Sequence, residues 1–306
     1  KFTLLLASLL CCMGVMKAAV TDLPQLSTDG DIKWYTIKNT RSNKYANYAG
    51  DATKMTQMST RWLASLFYFT SGEATAEGFT SVMIHNAATT KKFTDFESWT
   101  EEGHEWFLSI DQQNETPKGL HITRTAAITG DGVGWNACND GGGNNVTNYI
   151  AKDAGSIFVI EEVDLVEFVA EVKEAAKTKL IDLKKLFSAD ATTIDGAIAV
   201  IDAAAGDNSL SVLKAVEAKL NETFDAVYEG KNIRLTSYGR DNTNGHDLTV
   251  QSKGVYGTTN SGDAGIWTMK GNGDCSFTLY NFVSNLYLGP TVGASKHVSG
   301  IIVLRR

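Results

Sequence analysis

The amino-acid sequence predicts a mainly β protein, with two β domains on either side of a helical spacer. Three observations predict it. Residues 31–162 and the stretch from Lys231 onward share a texture rich in Thr, Asn, Gly and aromatics, cut into short alternating apolar runs. Such alternation has the period of a half-buried strand. Residues 163–229 are rich in Ala, Leu, Lys and Glu, contain no proline and carry apolar residues at helical spacing. A strand–turn–strand unit also recurs in both flanking zones about every 40 residues, a period that marks a repeat architecture.

In the first zone Tyr35–Asn39 leads through a polar turn to Tyr45, Val82–Asn86 leads to Phe93, and Leu120–Ile122 leads to Val133 and Trp135. Each reads as a hairpin, because Asn, Gly and Ser at the turns interrupt two apolar runs. A short aromatic-bearing strand closes each unit: Leu66–Phe69, Trp106–Leu108 and Ile157–Ile160. The unit starts at Ile37, Ile84 and Ile122 lie 47 and then 38 residues apart. Three such units make a β-trefoil, in which six strands form a barrel and three hairpins cap it. Closure removes the strand edges that isolated hairpins would leave open.

The second zone repeats the pattern with Ile233–Leu235 leading to Leu248 and Val250, closed by Ile266–Met269, and with Phe277–Asn281 leading to Tyr287 and Leu288. Two units predict a second β-trefoil-like domain over 231–306 that is incomplete. Ile301–Leu304 is then the closing strand of its second unit, and the natural chain is expected to continue by about one more unit of roughly 40 residues.

The middle zone predicts three helices. Leu165, Phe168, Val169, Val172, Ala176, Leu180, Leu183 and Phe187 line one face of the first. Asp190 or Thr192 caps a second helix carrying Ile194, Ile198 and Ile201, which Gly206 closes. Asn208 caps a third that carries Leu210, Leu213, Val216, Leu220, Phe224 and Val227 and ends before Gly230. With 13 acidic and 7 basic residues, this zone holds −6 of the chain's net charge of −7. Such a charge reads as the solvated face of a helical bundle.

Residues 1–19 read as a secretory signal peptide: Lys1, an apolar run from Phe2 to Val15, then Ala18 and Ala19. Leu10 before Cys11 argues against a lipid-attachment site, and the run is short for a membrane span. The mature chain is therefore expected in a secreted, periplasmic or cell-surface setting, without a transmembrane segment. Only Cys138 and Cys275 remain in it, so burial rather than disulfides must stabilise the fold, which suits bacterial export. The acidic balance and the lack of a Lys/Arg run exclude a duplex-binding face, so nucleic acid is not an expected partner.

No catalytic motif stands out; Glu101, Glu102 and Glu105 read as solvated loop acids, and the carboxylate spacing of a glycoside hydrolase is a three-dimensional property that the sequence leaves open. Five histidines, His85, His104, His121, His246 and His297, show no metal-ligand spacing. No Gly-x-Ser-x-Gly elbow occurs, and the Gly-rich runs 130–134 and 141–143 are not followed by a helical pattern that could hold a phosphate. No cofactor or metal is implied. Sugar recognition needs an aromatic face for the ring and short polar side chains for its hydroxyls. Three clusters offer that combination: Trp135 with Asn136, Asn139 and Asp140; Asp95 and Glu97 with Trp99; and Tyr45 with Asn47 and Tyr48.

The repeating strand–turn–strand with its closing aromatic resembles the ricin-B-type β-trefoil lectin domains and related modules of large secreted bacterial carbohydrate-active proteins. The resemblance covers residues 31–162 and part of 231–306. Trp106 and Trp267 stand where that family carries the Trp of its Gln-x-Trp mark, but follow His104 and Gly265. It implies a non-catalytic carbohydrate-binding protein, with glycans or polysaccharide as partners, or the N-terminal fragment of a larger one. Two alternatives are the targeting modules of a glycoside hydrolase or peptidase whose catalytic domain lies further on, and a protein-binding or protease-inhibitor trefoil.

Overall fold

The structure, a computed structural model, describes residues 22–53, 55–111, 114, 116–138, 145–238, 245–251, 254–258, 262–288 and 302–305. Residues 1–19, read above as a signal peptide, lie outside the described residues. Contacts divide the chain into two compact units, Lys1–Val172 with Asp207–Leu213, and Lys173–Gly206 with Lys214–Arg306.

The first unit holds β1 (Tyr35–Asn39), β2 (Tyr45–Asn47), β3 (Thr56–Met58), β4 (Phe67–Ser71), β5 (Thr80–Asn86), β6 (Lys92–Asp95), β7 (Ser98–Thr100), β8 (Glu105–Ile110), β9 (Leu120–Thr123), β10 (Gly134–Cys138), β11 (Asn145–Tyr149) and β12 (Phe158–Glu162). Strands β1, β4, β5, β8, β9 and β12 pair antiparallel in a closed ring, β1–β12–β9–β8–β5–β4–β1. The remaining strands form the hairpins β2–β3, β6–β7 and β10–β11. This is a β-trefoil-like barrel, but its capping hairpins are not the expected ones. The strands read as hairpins pair at one position each, Lys38 with Tyr45, His85 with Lys92 and Thr123 with Gly134. The caps form with β3, β7 and β11, which the sequence pattern did not single out.

Register explains the core. Ile37 faces Ile160, Ile84 faces Phe69 and Ile122 faces Leu108, so one residue from each barrel strand forms a single buried layer. Phe158, Phe67 and Trp106 follow, each two residues before its partner in that layer. Phe93 from β6 and Trp135 from β10 plug the end of the barrel against them: Phe93 lies 4.9 Å from Trp106, and Trp135 lies 6.1 Å from Phe158. The period-2 alternation of a strand aims these side chains inward together.

The helical zone forms α1 (Leu165–Leu186), α2 (Ala191–Ala203) and α3 (Ser209–Tyr228). Phe168, Val172, Ala176, Leu180, Leu183 and Phe187 are buried, as are Ile194 and Ile201 of α2 and Leu213, Val216, Leu220, Phe224 and Val227 of α3. Asn208 caps α3 by accepting from the Ser211 N–H at 3.1 Å. Asp164 caps α1, accepting from the N–H groups of Val166 and Glu167. Asp190 stands at the start of α2 but makes no capping bond; it pairs with Lys231 at 2.9 Å instead. Gly230 (φ 69°) ends the zone in the left-handed region, which glycine enters without a Cβ clash. Ala204, not Gly206, caps the end of α2.

In the second unit β13 (Asn232–Tyr238), β14 (Gly245–Gln251), β15 (Gly254–Thr258), β16 (Ile266–Gly271), β17 (Phe277–Asn281) and β18 (Leu286–Leu288) pair in the order β15–β14–β13–β16–β17–β18. The pattern repeats β3–β2–β1–β4–β5–β6. One expectation is corrected: β19 (Ile302–Arg305) does not close the unit opened by β17. It pairs with β13, Leu304 opposite Leu235, which is the position β12 holds on β1.

Candidate functional site

The three clusters expected to bind sugar meet different fates. Trp135 is 0% exposed and Trp99 3%, so neither can present a ring to solvent. One aromatic of each cluster converges, but inside the protein: Trp99 lies 5.2 Å from Phe93, Trp135 5.0 Å from Phe93, and Tyr48 5.3 Å from Trp99. The physical reason is register. Each of these tryptophans sits on the inward parity of its hairpin strand, and burying one is worth several CH₂ groups of transfer energy.

The polar partners are likewise committed to structure. Asn136 donates to Asp153 Oδ1 at 2.7 Å and to Ser156 Oγ at 2.9 Å. Asn47 is buried and donates to the Tyr48 carbonyl at 2.9 Å. The Tyr48 hydroxyl donates to Asp51 at 2.6 Å; burial together with that carboxylate pushes its pKa up to about 12. Tyr45 lies under the cations of Lys38 and Arg61, at 5.4 and 5.6 Å from its ring centroid, while its neighbour Ala46 takes the inward position. Asp95 pairs with Arg124 at 3.0 Å, and Glu97 is exposed. Asn139 and Asp140 lie outside the described residues.

A cleft that the sequence pattern did not single out has the chemistry those clusters lack. It encloses about 410 Å³ and is lined by Ser27, Thr28, Asp29, Gly30, Ile32, Tyr68, Thr70 and His85. Strands β4 and β5 build its floor. Tyr68 and His85 face each other across the pair, and their rings stack at 4.3 Å with a 12° interplanar angle. Trp34 meets Tyr68 edge-on at 5.1 Å. The segment 27–32 forms the rim, pinned by Ser27 N–H to Phe69 O at 2.7 Å and by a bridge between Thr28 and Asp31.

The groups at this cleft differ in their freedom. Ser27 Oγ is occupied by the Lys33 backbone, 3.0 Å from its N–H. Asp29 is exposed, and Ile32 adds an apolar wall at 46% exposure. Thr70 Oγ1 lies 2.9 Å from His85 Nε2. Burial, and then the nearby Lys92 charge, pull the His85 pKa down to about 4, so its imidazole is neutral at pH 7. Burial also raises the Tyr68 hydroxyl above its ordinary value. The one signal for this site in the sequence is Ser27-Thr28-Asp29-Gly30 ahead of an exposed isoleucine, a turn composition too common to stand out.

Among the described residues no group of three His, Cys, Asp or Glu side chains could hold a metal ion. No described helix is long and apolar enough to cross a membrane. Cys275 is a free, half-buried thiol that donates to Asn221 Oδ1 at 2.9 Å; burial pushes its pKa up to about 11.

No protein-family model matches the chain, and no curated protein does. Among solved structures it is similar to a GlcNAcα1-4Gal-releasing endo-β-galactosidase from Clostridium perfringens, at 9% identity and a TM-score of 0.33 over 43% of this chain. The chain spans 33% of that enzyme's length. It is also similar to the BEL β-trefoil in an apo crystal form, at 12% identity and a TM-score of 0.35 over 46% of this chain and 98% of BEL. A third is PSL1a in complex with E64, at 10% identity and a TM-score of 0.31 over 85% of this chain and 95% of PSL1a. Similarity this low transfers no residue and no ligand; the closed ring and three hairpins of this chain are what make it β-trefoil-like.

Proposed function

We propose that this protein binds glycans without transforming them, at the cleft between segment 27–32 and strands β4 and β5. The observation that carries this reading is the cleft itself: a stacked aromatic floor, Tyr68 on His85, beside an exposed carboxylate, Asp29, and the hydroxyls of Thr28 and Thr70. A sugar ring has an apolar face and a rim of hydroxyls, and this arrangement offers a partner for both. Binding suits the site better than hydrolysis. Its hydroxyl–imidazole pair, Thr70 and His85, depends on an imidazole whose pKa of about 4 makes it a weak base at neutral pH.

The protein is then an exported lectin-like molecule. The second unit, which repeats the pairing of β1–β6, is a further trefoil-like module joined through the helices. Two modules on one chain would raise avidity toward a repeating polysaccharide.

The test is a glycan array with the full chain, followed by calorimetric titration of the best binder. Asp29→Ala and Thr28→Ala are expected to weaken binding about tenfold each, the scale of one lost hydrogen bond to a charged or well-placed group, while the melting temperature stays unchanged. An array with no binder, or a bound sugar indifferent to both variants, overturns the reading.

A further inference from the structure

The barrel carries a repeated side-chain lock, and at one junction the lock is replaced by a cleft. Asn39, at the end of β1, donates to the carbonyls of Gly155 and Ile157 at 2.7 and 3.1 Å, holding the 3-10 turn Ala154–Ser156 that precedes β12. Asn86, at the end of β5, donates to Ala64 O at 2.9 Å in the turn Leu63–Ser65 that precedes β4. Asn281 of β17 does the same to Ala264 and Ile266 at 2.8 and 3.0 Å, in the turn Gly262–Gly265 before β16.

The junction of β8 with β9 breaks this rule. Phe107 faces Thr123, so the place of the asparagine falls to the next residue, Arg124. Its side chain turns outward to Asp95 at 3.0 Å. Residues 101–104 before β8 form a bend instead of a 3-10 turn. Beside Trp106, His104 Nε2 is buried without a hydrogen-bond partner among the described residues. At this same junction a cleft of about 650 Å³ opens, its lining including Met83, Lys92, His104, Glu105, Phe107 and Arg124. Departures from an otherwise consistent pattern are where functional sites are expected.

This cleft adjoins the Tyr68 cleft. Met83 of the one is the direct cross-strand partner of Thr70 of the other, and Lys92 pairs in register with His85. We propose that it is a second subsite on the same face of the barrel, taking a sugar unit that bears an anionic group, a carboxylate or a sulfate. The inference rests on the glycan reading of the Tyr68 cleft and names the substrate class: an acidic oligosaccharide lying across both clefts.

Two cations of the lining, Arg124 and Lys92, carry that class, against the carboxylates of Glu73, Glu102 and Glu105 in the same lining. Arg124 already holds a carboxylate, Asp95, in a pair whose side chains are 43% and 45% exposed. Such a pair is worth little, so a ligand anion can replace Asp95 on the planar guanidinium fork. Lys92 has no ion-pair partner among the described residues and supplies the second positive charge. Glu105 stays ionised, its carboxylate held below the usual range by the Glu73 and Ala74 N–H groups and Ser81 Oγ at 2.8, 3.2 and 3.0 Å, but these donors occupy its oxygens and turn its charge toward segment 73–74. Glu73 and Glu102 stand exposed at the rim, where water and salt screen them.

The experiment titrates the full chain with an oligogalacturonate and with a neutral galactose oligomer of equal length, at low and at physiological salt. The acidic oligomer is expected to bind the tighter of the two and to lose affinity as salt rises. Arg124→Gln and Lys92→Gln are expected to weaken it about tenfold while leaving the neutral oligomer unchanged. Arg124→Lys should recover part of the loss, and Glu102→Gln should tighten binding. Asp95→Asn, which frees Arg124, should not weaken it; a loss there would show that the ion pair is structural and would overturn the subsite. Equal binding of both oligomers, indifferent to Arg124 and Lys92, overturns the subsite and leaves the Tyr68 cleft standing. Failure of both oligomers to bind overturns the subsite together with the galactose-type ligand. Loss with Arg124→Gln but not with Asp29→Ala would overturn the reading that one oligosaccharide lies across both clefts.

Discussion

Asn39 and Asn86 occupy the same place in two different repeats: Asn39 stands opposite Phe158 and Asn86 opposite Phe67, each gripping the turn that leads into its partner strand. Both side chains are buried, and each also accepts a backbone N–H of its own turn: Arg41 and Ser42 for Asn39, Ala88 for Asn86. One side chain therefore ties a hairpin turn to the turn before the closing strand.

Replacing either asparagine by Ala should destabilise the chain by about 1–3 kcal/mol: the N–H groups of Arg41 and Ser42, or of Ala88, lose their acceptor, and Gly155 O loses a donor, while Ala64 O keeps the Tyr48 N–H and Ile157 O the Thr40 N–H. Arg124→Ala, at the unlocked junction, should cost under about 0.5 kcal/mol, as is usual for an exposed group. Urea denaturation with a shared m-value checks both, and equal costs at the two positions would count against the lock.

Trp135→Ala should cost about 3–5 kcal/mol, since it empties a fully buried position. Trp135→Phe should cost much less. The indole N–H of Trp135 has no partner among the described residues, so the ring loses volume but sheds an unsatisfied donor. Thermal melts of the two variants separate these outcomes.

Stability should fall as pH drops from 6.5 toward 4. His85 has its folded pKa at about 4, against 6.5 for an ordinary imidazole, so across that window the unfolded chain binds the extra proton. The loss amounts to about 3 kcal/mol by pH 4, at 1.36 kcal/mol per pKa unit. His121 is depressed for the same first cause, burial, and adds in the same direction. Urea melts from pH 7.5 to 4 should show the decline, and His85→Gln should flatten it; an unchanged slope would mean that His85 titrates as it does in water.

Asp164→Ala should lower stability by about 1 kcal/mol, the usual worth of a helix N-cap. It accepts from two N–H groups at the start of α1. Helix content by circular dichroism and amide exchange at residues 166–168 report the fraying directly.

The sequence by itself determined the local structure of this protein. Period-2 runs, Asn- and Gly-bearing turns, the recurring closing aromatic and the 3.6-period zone between Leu165 and Val227 are short-range signals, and strands and helices follow from them. It even carried the repeat behind the ring, but not β3, β7 and β11, with which the caps form. Two matters needed the tertiary structure. One is parity: Trp135 and Tyr45 both sit at the start of hairpin strands, and only the register of the closed barrel sends the first inward and leaves the second against Arg61. The other is convergence. Segment 27–32 meets Tyr68 and His85, and Arg124 meets Lys92 and His104, across tens of residues that no periodicity links. A cleft is made by residues that are neighbours only once the chain has closed on itself, so its chemistry has no local signature to read.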